Sequence, residues 1–120
     1  MKKVILWLCV LLISSAVGGM AITETLTVGL NAEITGGVPT VGASCVNAAQ
    51  LAIEEINASG GLSVNGHQYD FDLQIKDNED NADKAVEITK EFIQSRLLSS
   101  IRIIAMVGPN ASRNAIPAAT

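Results

Sequence analysis

Residues 25–31, Thr-Leu-Thr-Val-Gly-Leu-Asn, place Leu26, Val28 and Leu30 at every second position, the period of a strand. The stretch Thr35-Gly36-Gly37-Val38-Pro39 stops it. From Ser44 the apolar spacing changes to three and four, with Val46, Ala49, Ile53 and Ile56 on one stripe and Glu54 and Glu55 beside it. That pattern predicts a helix ending at Gly60-Gly61. Asn65-Gly66 then marks a turn before residues 69–76, where Tyr69, Phe71, Leu73 and Ile75 alternate with Asp70, Asp72, Gln74 and Lys76. Strict alternation predicts a strand with one wet face, suited to a sheet edge, where charge discourages pairing with another chain. The acidic turn at 77–83 offers Asp80 or Asn81 as the cap of a second helix, with Asp83 near its positive end. Ala85, Ile88 and Phe92, flanked by Val86 and Ile93, give that helix its apolar stripe. After a short connection at 96–100, the continuous run Ile103 to Val107 predicts a strand buried on both faces. Gly108-Pro109 ends it, just before a third helix begins.

Strand, helix, strand, helix, strand and the start of a helix are the signature of an α/β fold, a three-layer parallel sheet with right-handed crossovers. With the alternating strand at the edge, the three strands take the order 2-1-3. The chain shows no internal repeat and no low-complexity stretch.

The amino terminus stands apart from this pattern. Lys2-Lys3, the apolar run Val4 to Ile13 and small residues through Ala21 make the basic, apolar, small order of a secretory signal peptide. The apolar run breaks at Ser14-Ser15, short of the roughly 20 residues that a transmembrane helix needs. Cleavage fits after Gly18 or after Ala21, and Ala21 is preferred because the extended lead Ile22 to Thr25 follows it. Cys9 lies inside the apolar run, not after the small residues where a lipid anchor would need it. A soluble, exported protein follows, and residues 22–120 then carry six basic against twelve acidic side chains, a net charge of −6. That balance excludes a basic nucleic-acid face. Cys45 alone remains in this part, so it forms no intrachain disulfide and reads as a small buried side chain. Ninety-nine residues suffice for one small domain and leave no room for a second lobe.

Catalysis finds no candidate residues. His67 lies beside the Asn-Gly turn, where a histidine is solvated, and no His, Cys and carboxylate set has metal spacing. The acidic turn lacks the central glycine and regular spacing of a calcium loop. Neither a dinucleotide glycine pattern nor a phosphate-loop lysine follows the first strand. Asn57-Ala58-Ser59 and Asn110-Ala111-Ser112 match the glycan acceptor triplet and read as chance matches. Binding has one candidate. Ligands of open parallel sheets sit beyond the carboxyl ends of the strands, and there Gly108-Pro109-Asn110-Ala111-Ser112 leads into a helix. Free N–H groups at a helix start and a serine hydroxyl suit a carboxylate, while Asn110 or Ser112 acting only as a helix cap is the competing reading. The loop 35–42 lies on the same rim.

Four stretches, LTVGLNAEITGG (26–37), GASCVNAAQLAIEEINASGGL (42–62), DNEDNADKAVEITKEFI (77–93) and AMVGPNASRNAIPAA (105–119), together resemble one family. It is that of the periplasmic amino-acid-binding proteins of branched-chain amino-acid ABC transporters, with the type I periplasmic-binding fold. The resemblance implies an extracytoplasmic component, with no cofactor and no metal, that binds a branched-chain amino acid or related small carboxylate. A membrane permease would receive the ligand from it. It also implies ligand contacts at Asn110, Ala111 and Ser112, with the Ser112 hydroxyl and backbone N–H groups holding the α-carboxylate in place of the capping role. Val41, just before the second glycine of the loop, takes the position of a bulkier residue that touches the ligand side chain. Relatives that tie the acidic turn to the strand-3 turn by a disulfide would place it at Asp80 and Ala111, and neither is cysteine here. Such proteins have two lobes, so residues 1–21 are expected to be the signal peptide and 22–120 the amino-terminal part of lobe 1. Alone, that part is expected to be partly folded or aggregating and to bind no amino acid. The ligand-binding ectodomain of a receptor or sensor uses the same lobe and is the alternative.

Overall fold

The computed structural model describes residues 23–98, 101 and 103–120, so the signal-peptide expectation for residues 1–21 lies outside the described residues. The elements run β1 (Thr23–Ala32), α1 (Pro39–Ala58), β2 (Leu62–Val64), β3 (His67–Asp77), α2 (Ala82–Leu98), β4 (Ile103–Val107) and α3 (Ser112–Ala118). They form one four-stranded sheet in the order β2-β3-β1-β4. β1 pairs in parallel with β3 and with β4, which gives the expected 2-1-3 order of the three main strands.

Both faces of the central strand are occupied, and each face reads differently in sequence. On one face Val28, Leu30 and Ala32 border an apolar groove whose other wall includes Cys45, Ala49 and Ile53 of α1. The other face carries Gly29 and Asn31 and receives α2. A methyl group at Gly29 would lie 2.7 Å from the Phe92 ring, so glycine there is the space into which Phe92 packs. Phe92 joins Ile88 and Ile103 in the buried cluster, with Met106 against it. Burying a side chain of Phe size contributes about 1.5–3 kcal/mol.

The helix ends follow local chemistry. α1 starts at Pro39, five residues before the apolar spacing becomes helical, because proline suits the first turn and Val38 closes onto Val41 and Gly42. It ends in a Schellman pattern, with Gly61 N–H donating to Ile56 and Gly60 N–H to Asn57, and both glycines have positive φ. At α2, Asn81 is the cap, its Oδ1 accepting from the Lys84 N–H at 3.1 Å, while Asp80 is engaged elsewhere.

Two strand expectations are refined. β2 adds an antiparallel hairpin across Asn65-Gly66 and pairs with His67 to Tyr69, so β3 is an edge only beyond Tyr69. β4 is not buried on both faces: Ile103 is enclosed, but Ile104 and Val107 are 44% and 54% exposed. With β1 on one flank only, β4 forms the outer strand of the described sheet.

Candidate functional site

The carboxyl ends of β3, β1 and β4 stand side by side, so the loops that leave them form one rim. From the β1 end comes Glu33, fully enclosed at 0% exposure. Its carboxylate accepts the Asn110 N–H at 3.3 Å, the Ala111 N–H at 3.1 Å and the Asn114 side-chain amide at 2.9 Å. Burial alone would raise its pKa, but these bonds, with that of its own N–H, outweigh burial and hold the carboxyl below the ordinary range. A charge is tolerated inside because every donor around it is aimed at it.

The β3 end supplies Asp77 and Asp80. Asp77 accepts the N–H groups of Ile34, Thr35 and Glu79 at 3.0, 3.1 and 2.8 Å and the Thr35 hydroxyl at 2.7 Å. Its pKa too is lowered, hydrogen bonding overcoming burial. Asp80 holds Arg113 in a two-pronged pair, Nε at 2.8 Å and Nη2 at 2.5 Å, and accepts the Asn114 amide at 3.0 Å. The Arg113 bonds, followed by that from Asn114, keep Asp80 below its ordinary pKa. The acidic turn and the turn after β4 are therefore joined non-covalently, by Asp80 with Arg113 and Asn114.

Asn114 links all three loops. It is 1% exposed, sits on α3 and donates to Glu33 from the β1 loop and Asp80 from the β3 loop. The reversed amide would set its oxygen against two carboxylates, so the orientation is fixed. Its Oδ1 finds no donor among the described residues. Beneath it lies a second buried amide chain. Asn31 donates to the Ala85 carbonyl at 2.9 Å and accepts from Asn78 at 2.9 Å, and Asn78 Oδ1 receives the Asp80 N–H.

Gly108 lets the chain leave β4 over this floor. Its φ is +83°, and a side chain there would run into the Asn31 carbonyl. Asn110 follows, exposed, then Ala111, whose extended backbone is the helix N-cap without any side-chain cap bond. Neither Asn110 nor Ser112 caps α3. Ser112 is the first helical residue, exposed on the rim, and no hydrogen bond among the described residues uses its hydroxyl or its N–H. Val41 lies in the first turn of α1 and is 41% exposed. Asn110 also borders an apolar groove of about 550 Å³ beneath α1, which Val41, Ala111 and Ser112 do not line.

Of the candidates, Asn110, Ala111 and Ser112 are thus brought onto the rim, with two of their N–H groups already engaged by Glu33. Sequence reasoning missed Glu33 and Asn114. A carboxylate directly after an apolar strand and an amide in an apolar helix turn were the available signals. Asn57, first of a glycan triplet, bonds both backbone groups of Phe71. Its side chain anchors α1 to β3.

A family model described as periplasmic binding protein matches residues 25–116. Among solved structures, the chain is similar to the branched-chain amino acid transporter substrate-binding protein LivJ from Streptococcus pneumoniae, determined in complex with isoleucine. The identity is 32%, the TM-score 0.65, and the match covers 79% of this chain and 25% of that one. It is also similar to a protein from Rhodospirillum rubrum assigned to a branched-chain amino acid ABC transporter, at 27% identity and TM-score 0.67, with the same coverage. The chain spans a quarter of the length of both.

Proposed function

This chain belongs to the periplasmic binding protein family, and we propose that it forms the first part of the ligand-binding lobe of an extracytoplasmic amino-acid-binding component. The ligand is a branched-chain amino acid or a related small carboxylate, and the receiver is the permease of an ABC transporter. The observation that carries this reading is Ser112: its hydroxyl and N–H are uncommitted on an exposed turn whose Asn110 and Ala111 N–H groups are engaged by Glu33. A similar protein is known with isoleucine bound. Ser112 donates to the α-carboxylate, and Val41 stands beside the ligand side chain as a reduced wall. Binding is non-covalent, and closure of a second lobe over the rim excludes water and strengthens these hydrogen bonds.

The test is a hybrid in which residues 25–116 replace the matching quarter of the Streptococcus pneumoniae protein. Calorimetry with isoleucine should give an affinity within about tenfold of that parent, and Ser112→Ala should weaken it about tenfold or more, the worth of one charge-assisted hydrogen bond. A folded hybrid that binds isoleucine equally well with and without the Ser112 hydroxyl contradicts the reading.

A further inference from the structure

We propose that Glu33, Asn114 and Asp80 are positioning residues, a three-loop clamp that sets where Ser112 stands and withholds the Asn110 and Ala111 N–H groups from a ligand; the clamp's functional meaning rests on the reading of Ser112 given above. A turn entering a helix has several free N–H groups, and any of them could meet a ligand carboxylate. Here the Asn110 and Ala111 N–H groups face the enclosed Glu33 carboxylate at 3.3 and 3.1 Å. An external carboxylate could reach them only by displacing a buried charge, which would then lack partners. Arg113, the cation nearest in sequence, is held in two prongs by Asp80. What the turn keeps free is the Ser112 hydroxyl and N–H, with the exposed Asn110 side-chain amide and the Arg113 N–H beside them, none of which is bonded among the described residues.

Position follows from the same bonds. Glu33 leaves β1, Asp80 follows β3, and Asn114 belongs to the helix after β4, so one side-chain amide ties the ends of three strands together. Both of its N–H groups are used, at 2.9 and 3.0 Å, and it lies two residues beyond Ser112 on the same short helix. Asn114 therefore acts through the placement of Ser112 and touches no ligand itself.

Two measurements test this. In the hybrid, hydrogen exchange read by mass spectrometry should show the Asn110 and Ala111 amides protected. Asn114→Ala or Glu33→Gln should speed their exchange about tenfold while leaving residues 25–32 of β1 unchanged. Unprotected amides in the unaltered hybrid, or acceleration spread evenly over the sheet, would overturn the clamp. In the hybrid, Asn114→Ala should weaken isoleucine binding about tenfold alone and less than about twofold when Ser112→Ala is already present, since the clamp acts through that serine. Glu33→Gln, which keeps the side-chain size, should behave the same way with a smaller first effect. Losses that simply multiply would overturn the positioning role while leaving the Ser112 reading intact. An unchanged affinity for Ser112→Ala alone would instead contradict that reading, and the exchange data would still decide the clamp.

Discussion

Glu33 ends an apolar strand, is completely enclosed, and keeps its charge because Asn110, Ala111 and Asn114 all donate to it. Its depressed pKa fixes a pH signature. A carboxyl whose folded pKa lies below its ordinary value, 4.5 for Glu33, adds stability that is present above that value and lost as pH falls through the folded one. In the hybrid, the difference in melting temperature between the unaltered protein and Glu33→Gln should be largest near about pH 7 and should narrow as pH falls below 4.5. A gap that widens on acidification would contradict the assignment. Ser112 could be picked out in sequence because it follows a strand-ending Gly-Pro, a local pattern. Glu33 and Asn114 lie 81 positions apart. Their partnership exists only after β1 and β4 pair, and no local spacing encodes it.

The elements themselves were largely legible, because period-two and period-three-to-four apolar spacing reports a single buried face. β1 shows the limit of that signal. Its Leu26, Val28 and Leu30 stripe was plain, but the opposite face is buried as well, and it is built from Gly29 and from Asn31 bonded to the Ala85 carbonyl. A polar or absent side chain on a buried face carries no hydrophobic signature. Gly29→Ala in the hybrid should therefore cost about 1–3 kcal/mol by forcing Phe92 out of its place, measurable by urea unfolding. The three-residue β2 was missed because it is exposed throughout and has only the Asn-Gly turn to announce it. β4 read as a doubly covered strand because an apolar run says what a strand would bury, not what the described chain supplies to cover it.

The described residues form one four-stranded sheet with three loops joined on one rim and an open flank at β4. Ile104 and Val107 are exposed there, and unpaired strand groups beside apolar side chains favour association. Sedimentation velocity on the 120-residue chain should show association that grows with concentration, and calorimetry should show no isoleucine binding. A monomer with one cooperative unfolding transition and saturable isoleucine binding would contradict both. This chain spans a quarter of the length of the two solved proteins to which it is similar, and the transport role proposed above is that of a protein of their size. The central claim is that Ser112 meets the ligand carboxylate while Glu33 keeps the Asn110 and Ala111 donors. A crystal structure of the hybrid with isoleucine tests it most directly. The account predicts one carboxylate oxygen within hydrogen-bonding distance of the Ser112 hydroxyl, with both amides still on Glu33. A carboxylate seated on those amides with Glu33 displaced, or one bound away from Ser112, would contradict it.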